Sequence, residues 1–275
     1  MERALGLMCG AGVLPARMAE AARGRGWRVL AFAFHDAPGV RAWAESVVDA
    51  SVIELGPVLG ALQRDGVGAV LFSGTFSMPD IVRADATTAD AVAWEVGRRA
   101  GSRIDARLAE AVIATLGSLG IEVLDQRPFV GDWLATAGCW TARRPTDAEW
   151  QDVRRGLDAA RLAADAGIGQ SVVVRHGVVT AVEAVEGTTE AILRGVRLGG
   201  GGTVVVKAVA RSHDYRFDTP AIGPDTIQAA ADGQAAVVAV EAGRVLLVDR
   251  EATIAAADRA GVALVGVEDA CPAGS

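Results

Sequence analysis

Continuous runs of apolar residues, separated by amphipathic stretches, constrain this chain most. Residues 4–8, 27–34, 52–55, 69–72 and 121–124 each read as a strand with no polar face. Strands covered on both sides belong to parallel sheets flanked by helices, because a sheet with one wet face alternates apolar and polar residues. Helices are expected between them at 15–25, 57–65, 86–99 and 105–119, with Gly24/Gly26, Gly66/Gly68 and Gly117/Gly120 as stops. The first half, residues 1–141, is therefore expected to be a doubly wound, Rossmann-like α/β domain with a mainly parallel sheet.

The pattern changes near Ala142-Arg143-Arg144-Pro145-Thr146-Asp147, where a domain boundary is expected. Two domains suit 275 residues, since one usually takes about 100–200. Thr146 or Asp147 caps a helix over 148–166. Residues 171–175 and 178–184 around His176-Gly177 read as a hairpin, followed by a helix over 188–197. A similar unit recurs as 236–241, Ala242-Gly243 and 244–248, followed by a helix over 250–260. Glu183 and Asp249 each stand six residues after a turn glycine, Gly177 and Gly243, which suggests a pseudo-repeat. Between the copies, 203–209 reads as a strand and 211–224 as a polar irregular segment suited to a binding loop. The second domain, 146–275, is expected to be a mixed α/β catalytic domain built of hairpin–helix units.

The 51% hydrophobic content is spread over Ala and Val, and no charge-free apolar stretch of about 18 residues marks a spanning helix. Residues 4–14 are apolar but broken by Gly6, Gly10 and Gly12, so they read as strand and turn, not as a signal peptide. Cys9, Cys139 and Cys271 build neither a disulfide framework nor a CxxC metal site, which fits a reducing cytoplasm. A net charge of −7 argues against nucleic-acid binding through counterion release. His35, His176 and His213 are too scattered for a metal site.

Four segments carry candidate chemistry. Cys9-Gly10-Ala11-Gly12-Val13-Leu14-Pro15 follows the first strand and opens a helix. Its glycines let backbone approach a ligand, amides at a helix N-terminus suit phosphate, and Pro15 fits the first turn. The pattern meets the dinucleotide fingerprint only in part, and Asp36 is badly placed for a ribose, which disfavours a nicotinamide cofactor. A tight turn without ligand is the alternative. Ser73-Gly74-Thr75-Phe76-Ser77-Met78-Pro79 follows the fourth strand, where open α/β sheets place their ligand crevice, although a connecting loop fits the spacing equally. Arg216-Phe217-Asp218-Thr219-Pro220 sets a base and an acid on one side of an extended stretch, since Pro220 turns Thr219 away from helix. Asp218 suits Mg²⁺ or a water proton and Arg216 suits a phosphate, with a surface ion pair as the alternative. Gln170, Glu183, Glu186, Thr188 and Lys207 end second-domain elements, and Thr188 also reads as a helix N-cap. Trp133 and Trp140 are expected to pack the domain junction or to line an apolar lipid slot.

Gly6-Leu7-Met8-Cys9-Gly10-Ala11-Gly12-Val13-Leu14-Pro15 resembles the opening of the UDP-2,3-diacylglucosamine pyrophosphatase family of lipid A synthesis. This is the cytosolic form of bacteria that lack the metallophosphoesterase-type enzyme. Ile168-Gly169-Gln170-Ser171-Val172-Val173-Val174, Ala184-Val185-Glu186-Gly187-Thr188, Arg216-Phe217-Asp218-Thr219-Pro220-Ala221-Ile222-Gly223 and Val248-Asp249-Arg250 are similar to the same family. The resemblance covers nearly the whole chain. It implies Mg²⁺-assisted hydrolysis of UDP-2,3-diacylglucosamine to UMP and 2,3-diacylglucosamine 1-phosphate, with water attacking the phosphorus on the uridine side. It places the family's essential aspartate on Asp218 and implies an α/β domain and a distinct C-terminal domain with the lipid product between them. With the motifs above, Asp218 is expected to be catalytic and a candidate metal ligand. Gly10, Gly12, Leu14, Gly74, Thr75, Gln170, Thr188, Lys207 and Arg216 are expected to bind substrate.

Three departures keep the substrate open. Gly74-Thr75 and Met78 stand where the family has Gly-Asn and an Arg, Arg103-Ile104-Asp105 where it has Gly-Asp-Asp, and Ala210-Arg211 with His213 where it has a Lys-Pro…Gln run. The alternatives are a diverged member acting on another UDP-sugar or lipid, or a nucleotide- or lipid-binding protein without turnover. With neither anchor nor polybasic run, transient peripheral membrane contact is expected, acyl chains being sheltered by a cleft. A homodimer is the default for a bacterial cytosolic enzyme.

Overall fold

The computed structural model describes residues 3–76, 87–101 and 105–268, with only the backbone of 105 and 106. The chain divides into two compact units, Met1–Gly131 with Asp214–Asp218, and Asp132–His213 with Thr219–Ser275. The expected break at 142–146 thus moves to Gly131, and five residues of the second half belong to the first unit.

The first unit holds a parallel sheet of β1 (Arg3–Cys9), β2 (Trp27–Ala33), β3 (Ser46–Asp49), β4 (Ala69–Ser73) and β5 (Glu122–Val123), in the order β3-β2-β1-β4-β5. Its helices are α1 (Leu14–Gly24), α2 (Leu55–Arg64), α3 (Ala91–Ala100), α4 (Asp105–Ser118) and the single turn α5 (Arg127–Val130). β4 is buried along its whole length and β1 beyond Arg3, as continuous apolar runs require. Val58 and Leu62 of α2 and Leu116 of α4 pack on Met8, Leu30, Phe32, Val70 and Phe72, while α1 buries Met18, Ala19 and Ala22. From β1 the chain builds outward through β2 and β3, then returns to β4 on the other side. The exits of β1 and β4 therefore flank the switch point where doubly wound sheets bind ligands. The strand expected at 52–55 is corrected. Val47 and Val48 of β3 pair with Ala31 and Phe32, whereas Val52 and Ile53 line a cavity and Leu55 opens α2. A short apolar run does not distinguish a strand from a buried turn.

The second unit has a mixed sheet in the order β6-β13-β11-β9-β7-β8. It comprises β6 (Gly138–Cys139), β7 (Ser171–Arg175), β8 (Val178–Val182), β9 (Val204–Lys207), β11 (Val237–Glu241) and β13 (Ala263–Val267). β9, β11 and β13 run parallel, β7 is antiparallel to β8 and β9, and β6 is antiparallel to β13. β10 (Ala221–Ile222) and β12 (Leu246–Leu247) form a separate parallel pair. The helices are α6 (Asp147–Asp165), α7 (Thr188–Gly199), α8 (Pro224–Asp232) and α9 (Arg250–Ala260). Thr146 caps α6 through a capping box with Glu149. The first hairpin forms, β7 with β8, but the second is corrected. Every residue of β11 is buried, as suits a central strand between parallel neighbours, and Leu246–Leu247 departs to pair with β10. The pseudo-repeat is therefore absent from the fold.

Candidate active site

The exit loops of β1 and β4 bind each other. Gly10 N–H donates to the Ser73 carbonyl at 2.7 Å, Ala11 N–H to Thr75 O at 2.8 Å, Thr75 N–H to Ala11 O at 2.9 Å, and Gly12 N–H to Asp36 O at 3.1 Å. A β-carbon on Gly10 would stand 2.6 Å from Thr75 O. One on Gly74, at φ +82°, would stand 2.6 Å from Ala11 O. Glycine is needed at both positions because the loops approach each other, and these four amides are satisfied within the protein. These loop amides are spent on protein carbonyls, and the expectation of a phosphate rests on the first amides of α1. Gly12 is exposed and Leu14 opens α1, which leaves the positive end of the helix dipole beside the paired loops. Burial pushes the Cys9 thiol up to about 12 despite a backbone hydrogen bond at Phe32 that lowers it, so this cysteine is no thiolate nucleophile at neutral pH. Ser77, Met78, Pro79, Arg103, Ile104 and Cys271 lie outside the described residues, as does the side chain of Asp105.

Asp214–Asp218 returns from the second half to this unit. The Phe217 ring packs on Phe72 with centroids 4.6 Å apart. The Tyr215 carbonyl accepts from Gln126 N–H at 3.0 Å, and the Arg127 guanidinium stands 4.3 Å from the Tyr215 ring centroid. Arg216 forks onto Asp214, with Nε 3.0 and 3.1 Å from the two carboxylate oxygens and Nη2 2.7 Å from one of them. The pairing read as Arg216 beside Asp218 is corrected: the ion pair forms with Asp214. That hydrogen bond pushes the Arg216 guanidinium above its ordinary value. Asp218 itself is exposed.

A cavity of about 570 Å³ adjoins these segments. Met8, Phe72 and Phe217 line it, and the next residues along the chain are Cys9-Gly10, Ser73-Gly74 and Asp218. The rest of the described wall comes from β-strand exits and from α2, α3 and α4, and its one charged member among the described residues, Arg98, is forked onto Glu95 at 2.7 Å. Trp94 lines the cavity yet is 53% exposed, which marks the rim. No reading of the sequence foresaw this cavity. Its signal was the run of aromatic residues, Phe34, Phe72, Phe76 and Phe217, at the ends of apolar segments.

Gln170, Thr188 and Lys207 lie together in the second unit around Glu183. Lys207, the chain's single lysine, is buried at the end of β9. Its Nζ donates to Thr188 Oγ1 at 2.8 Å and stands 3.9 Å from Glu183 Oε2. The Thr188 hydroxyl donates to Glu183 Oε1 at 2.7 Å, and Gln170 N–H to Oε2 at 3.3 Å. Burial pushes the Glu183 carboxyl up, but the Lys207 charge and the surrounding donors outweigh it and hold the group below the usual carboxylate range. Thr188 is the first residue of α7, whose N-cap is Gly187, so its expected capping role is corrected. A second buried carboxylate, Glu241 at the end of β11, was missed. It accepts from Arg161 at 2.9 Å, Arg244 at 3.1 Å and Val209 N–H at 3.0 Å. Among the described residues no three His, Cys, Asp or Glu side chains gather as a metal cage.

Residues 4–133 match the LpxI N-terminal domain and residues 136–265 the LpxI C-terminal domain. The chain belongs to the LpxI family. A curated relative, the UDP-2,3-diacylglucosamine pyrophosphatase LpxI of Caulobacter vibrioides, is 34% identical over 284 residues, covering 97% of this chain and 98% of its own. Among solved structures, CobK precorrin-6A reductase aligns over 99% of this chain and 91% of its own, at 14% identity and a TM-score of 0.35. Glycinamide-RNase-transformylase T from Mycobacterium tuberculosis aligns over 66% and 44%, at 19% identity and a TM-score of 0.25. Neither likeness carries an argument about the site. In this LpxI chain the expected site residues divide by unit. Gly10, Gly12, Leu14, Gly74, Thr75, Arg216 and Asp218 fall in the first, and Gln170, Thr188 and Lys207 in the second.

Proposed function

We propose that this chain hydrolyses the pyrophosphate of UDP-2,3-diacylglucosamine, giving UMP and 2,3-diacylglucosamine 1-phosphate for lipid A synthesis. The observation that carries the reading is the return of Arg216-Phe217-Asp218 to the first unit, where Phe217 packs on Phe72 near the end of β4. Relatedness to the Caulobacter enzyme along the whole chain supports the substrate. Water adds to the phosphorus on the uridine side, its proton passes to the Asp218 carboxylate, and the acylated sugar phosphate leaves.

Magnesium fits the residues present. Mg²⁺ is commonly held by one or two carboxylates together with substrate phosphates, so Asp218 with the substrate diphosphate would hold it although no three-ligand cage gathers among the described residues. Bound there, the ion would supply positive charge to the diphosphate. Asp214 is already engaged by Arg216 and is the second carboxylate within the same segment.

The test is UMP release from UDP-2,3-diacylglucosamine by the purified protein, with Mg²⁺ and with chelator, in ¹⁸O-labelled water. Release that needs Mg²⁺ and puts the label in UMP is the expected result. Label in the sugar phosphate refutes the direction of attack, and no release by folded protein refutes the activity. Thr75, in place of the family's Asn, favours a second reading, a related UDP-sugar, which the same assay separates when run with acylated and unacylated UDP-sugars.

A further inference from the structure

We infer that Glu241 and Arg244 are positioning residues of the reaction, because they fix the stretch of chain from which Asp218 is carried into the first unit. The inference deepens the proposed hydrolysis and rests on it for the role of Asp218. Glu241 ends the central strand β11 and is 1% exposed, and both oxygens of its carboxylate are engaged. Oε2 accepts from Val209 N–H at 3.0 Å, and Oε1 accepts from Arg161 Nη2 at 2.9 Å and from Arg244 Nη1 at 3.1 Å. Arg244 spreads its planar fork over two targets, since its Nη2 donates to the Ala210 carbonyl at 2.5 Å and lies 3.4 Å from the Arg211 carbonyl. From α6 the Asp165 carboxylate accepts from Arg211 N–H at 2.8 Å. Three successive residues, Val209, Ala210 and Arg211, are thus held by their main-chain atoms.

A buried ion cluster is a weak source of stability, because apolar side chains of equal volume often do as well. What this cluster supplies is direction, and the atoms it fixes belong to a stretch outside any helix or strand. Only Ser212 and His213 follow before the chain enters the first unit at Asp214. There the Tyr215 carbonyl accepts from Gln126 N–H, and the Phe217 ring packs on Phe72. The chain is therefore pinned on both sides of two residues. At about 3.8 Å each, they leave little length to absorb a shift of the first pin. Slack at Val209–Arg211 passes into the segment that bears Asp218.

Arg244→Met in the full chain tests this, since Glu241 keeps Arg161 and the Val209 amide as partners. The first readout is hydrogen exchange at the Gln126 amide, whose acceptor is the Tyr215 carbonyl. It is expected to exchange about tenfold faster, the scale of one hydrogen bond, while amides of β1, β4 and β13 keep their protection. The second readout is UMP release. Its kcat is expected to fall by about 10- to 10²-fold, the cost of a misplaced catalytic group, with KM changed by about twofold at most. In the Asp218→Asn background the same substitution should lower kcat no further, because its effect runs through that carboxylate. Asp165→Ala frees the Arg211 amide from an exposed side chain. It should produce both effects more weakly, and it carries the test if Arg244→Met fails to fold. Unchanged Gln126 exchange in folded variants overturns the inference, as does an equal loss of kcat with and without Asp218. Faster exchange spread through β11 and β13 marks a merely stabilising role and overturns it too. A wild-type protein that releases no UMP, with the Gln126 response intact in the variants, overturns the proposed reaction and leaves the anchoring of the segment standing.

Discussion

Asp218 stands exposed at the end of the returning segment, outside the core. Asp218→Asn keeps the shape and removes the charge. UMP release is expected to fall by about 10²–10⁴, the scale for losing a general base. Stability should change by about 1 kcal/mol or less, as for other exposed charges. Turnover near that of wild type would exclude the residue from the reaction. Glu183 is the opposite case, buried and tied to Lys207, Thr188 and the Gln170 amide. Its folded-state carboxyl lies below the ordinary value, so its contribution to stability is complete above the unfolded carboxylate range and is lost as pH falls through the folded value. Lys207→Met leaves a buried carboxylate without its cation and should cost about 3 kcal/mol near pH 7. The gap between variant and wild type should narrow as pH falls through the depressed folded value, where Glu183 becomes neutral in both. Denaturant midpoints measured across that range check it, and a gap that widens with acid contradicts the pairing. At this scale the sequence displayed the residue types but not their partners. Arg216 was legible as a base near an acid, yet Asp214, two residues back, competes for it and wins.

The two glycine loops act as one element. Gly10 and Gly74 each face the other loop's carbonyl groups, and Ala11 and Thr75 exchange both backbone hydrogen bonds. Gly74→Ala combines a left-handed φ with a β-carbon 2.6 Å from Ala11 O. It is expected to cost about 1–3 kcal/mol, the usual range for such backbone strain. Because Ser73 and Gly74 leave the strand that holds Phe72 under Phe217, KM for the nucleotide substrate should rise with it. Urea unfolding and steady-state kinetics on one preparation test the coupling, and a stable variant with unchanged KM would break it. Both loops were legible, because glycine at a strand exit has few other uses, but the sequence could not say that their amides bind each other. The parallel sheet was legible from strands apolar on both faces. The same signal was present in β11 and was outweighed by the turn-like Ala242-Gly243, which ends a central strand where a hairpin was expected. α8 was missed although Pro224 after Gly223 is a sound helix start, because the polar residues before it lent the whole stretch the look of a loop.

At the scale of the molecule, each unit has its own sheet and core, and the order of the chain does not respect the division. No local pattern announces that Asp214–Asp218 belongs with the first unit, since the contact that decides it joins Phe217 to Phe72 across most of the sequence. Composition marked a change near residue 142, where Pro145 and Thr146 start α6, but a helix start is not a domain boundary. The interleaving has a measurable consequence. Phe217 lines the cavity and packs against the first unit's core, so Phe217→Ala should destabilise that unit by about 2 kcal/mol, below the range for a fully buried phenylalanine because the ring is only partly buried. If the first unit opens as a body, amides of β1 and β4 should exchange about thirtyfold faster in the variant. Those of β11 and β13, in the other unit, should keep their protection. The substitution lies in the second half of the sequence, and acceleration confined to strands of the first half is what the interleaved division requires. Equal acceleration in both sheets would mean that the chain unfolds as a single cooperative body, and exchange confined to residues around 217 would mean that the returning segment is only laid on the surface.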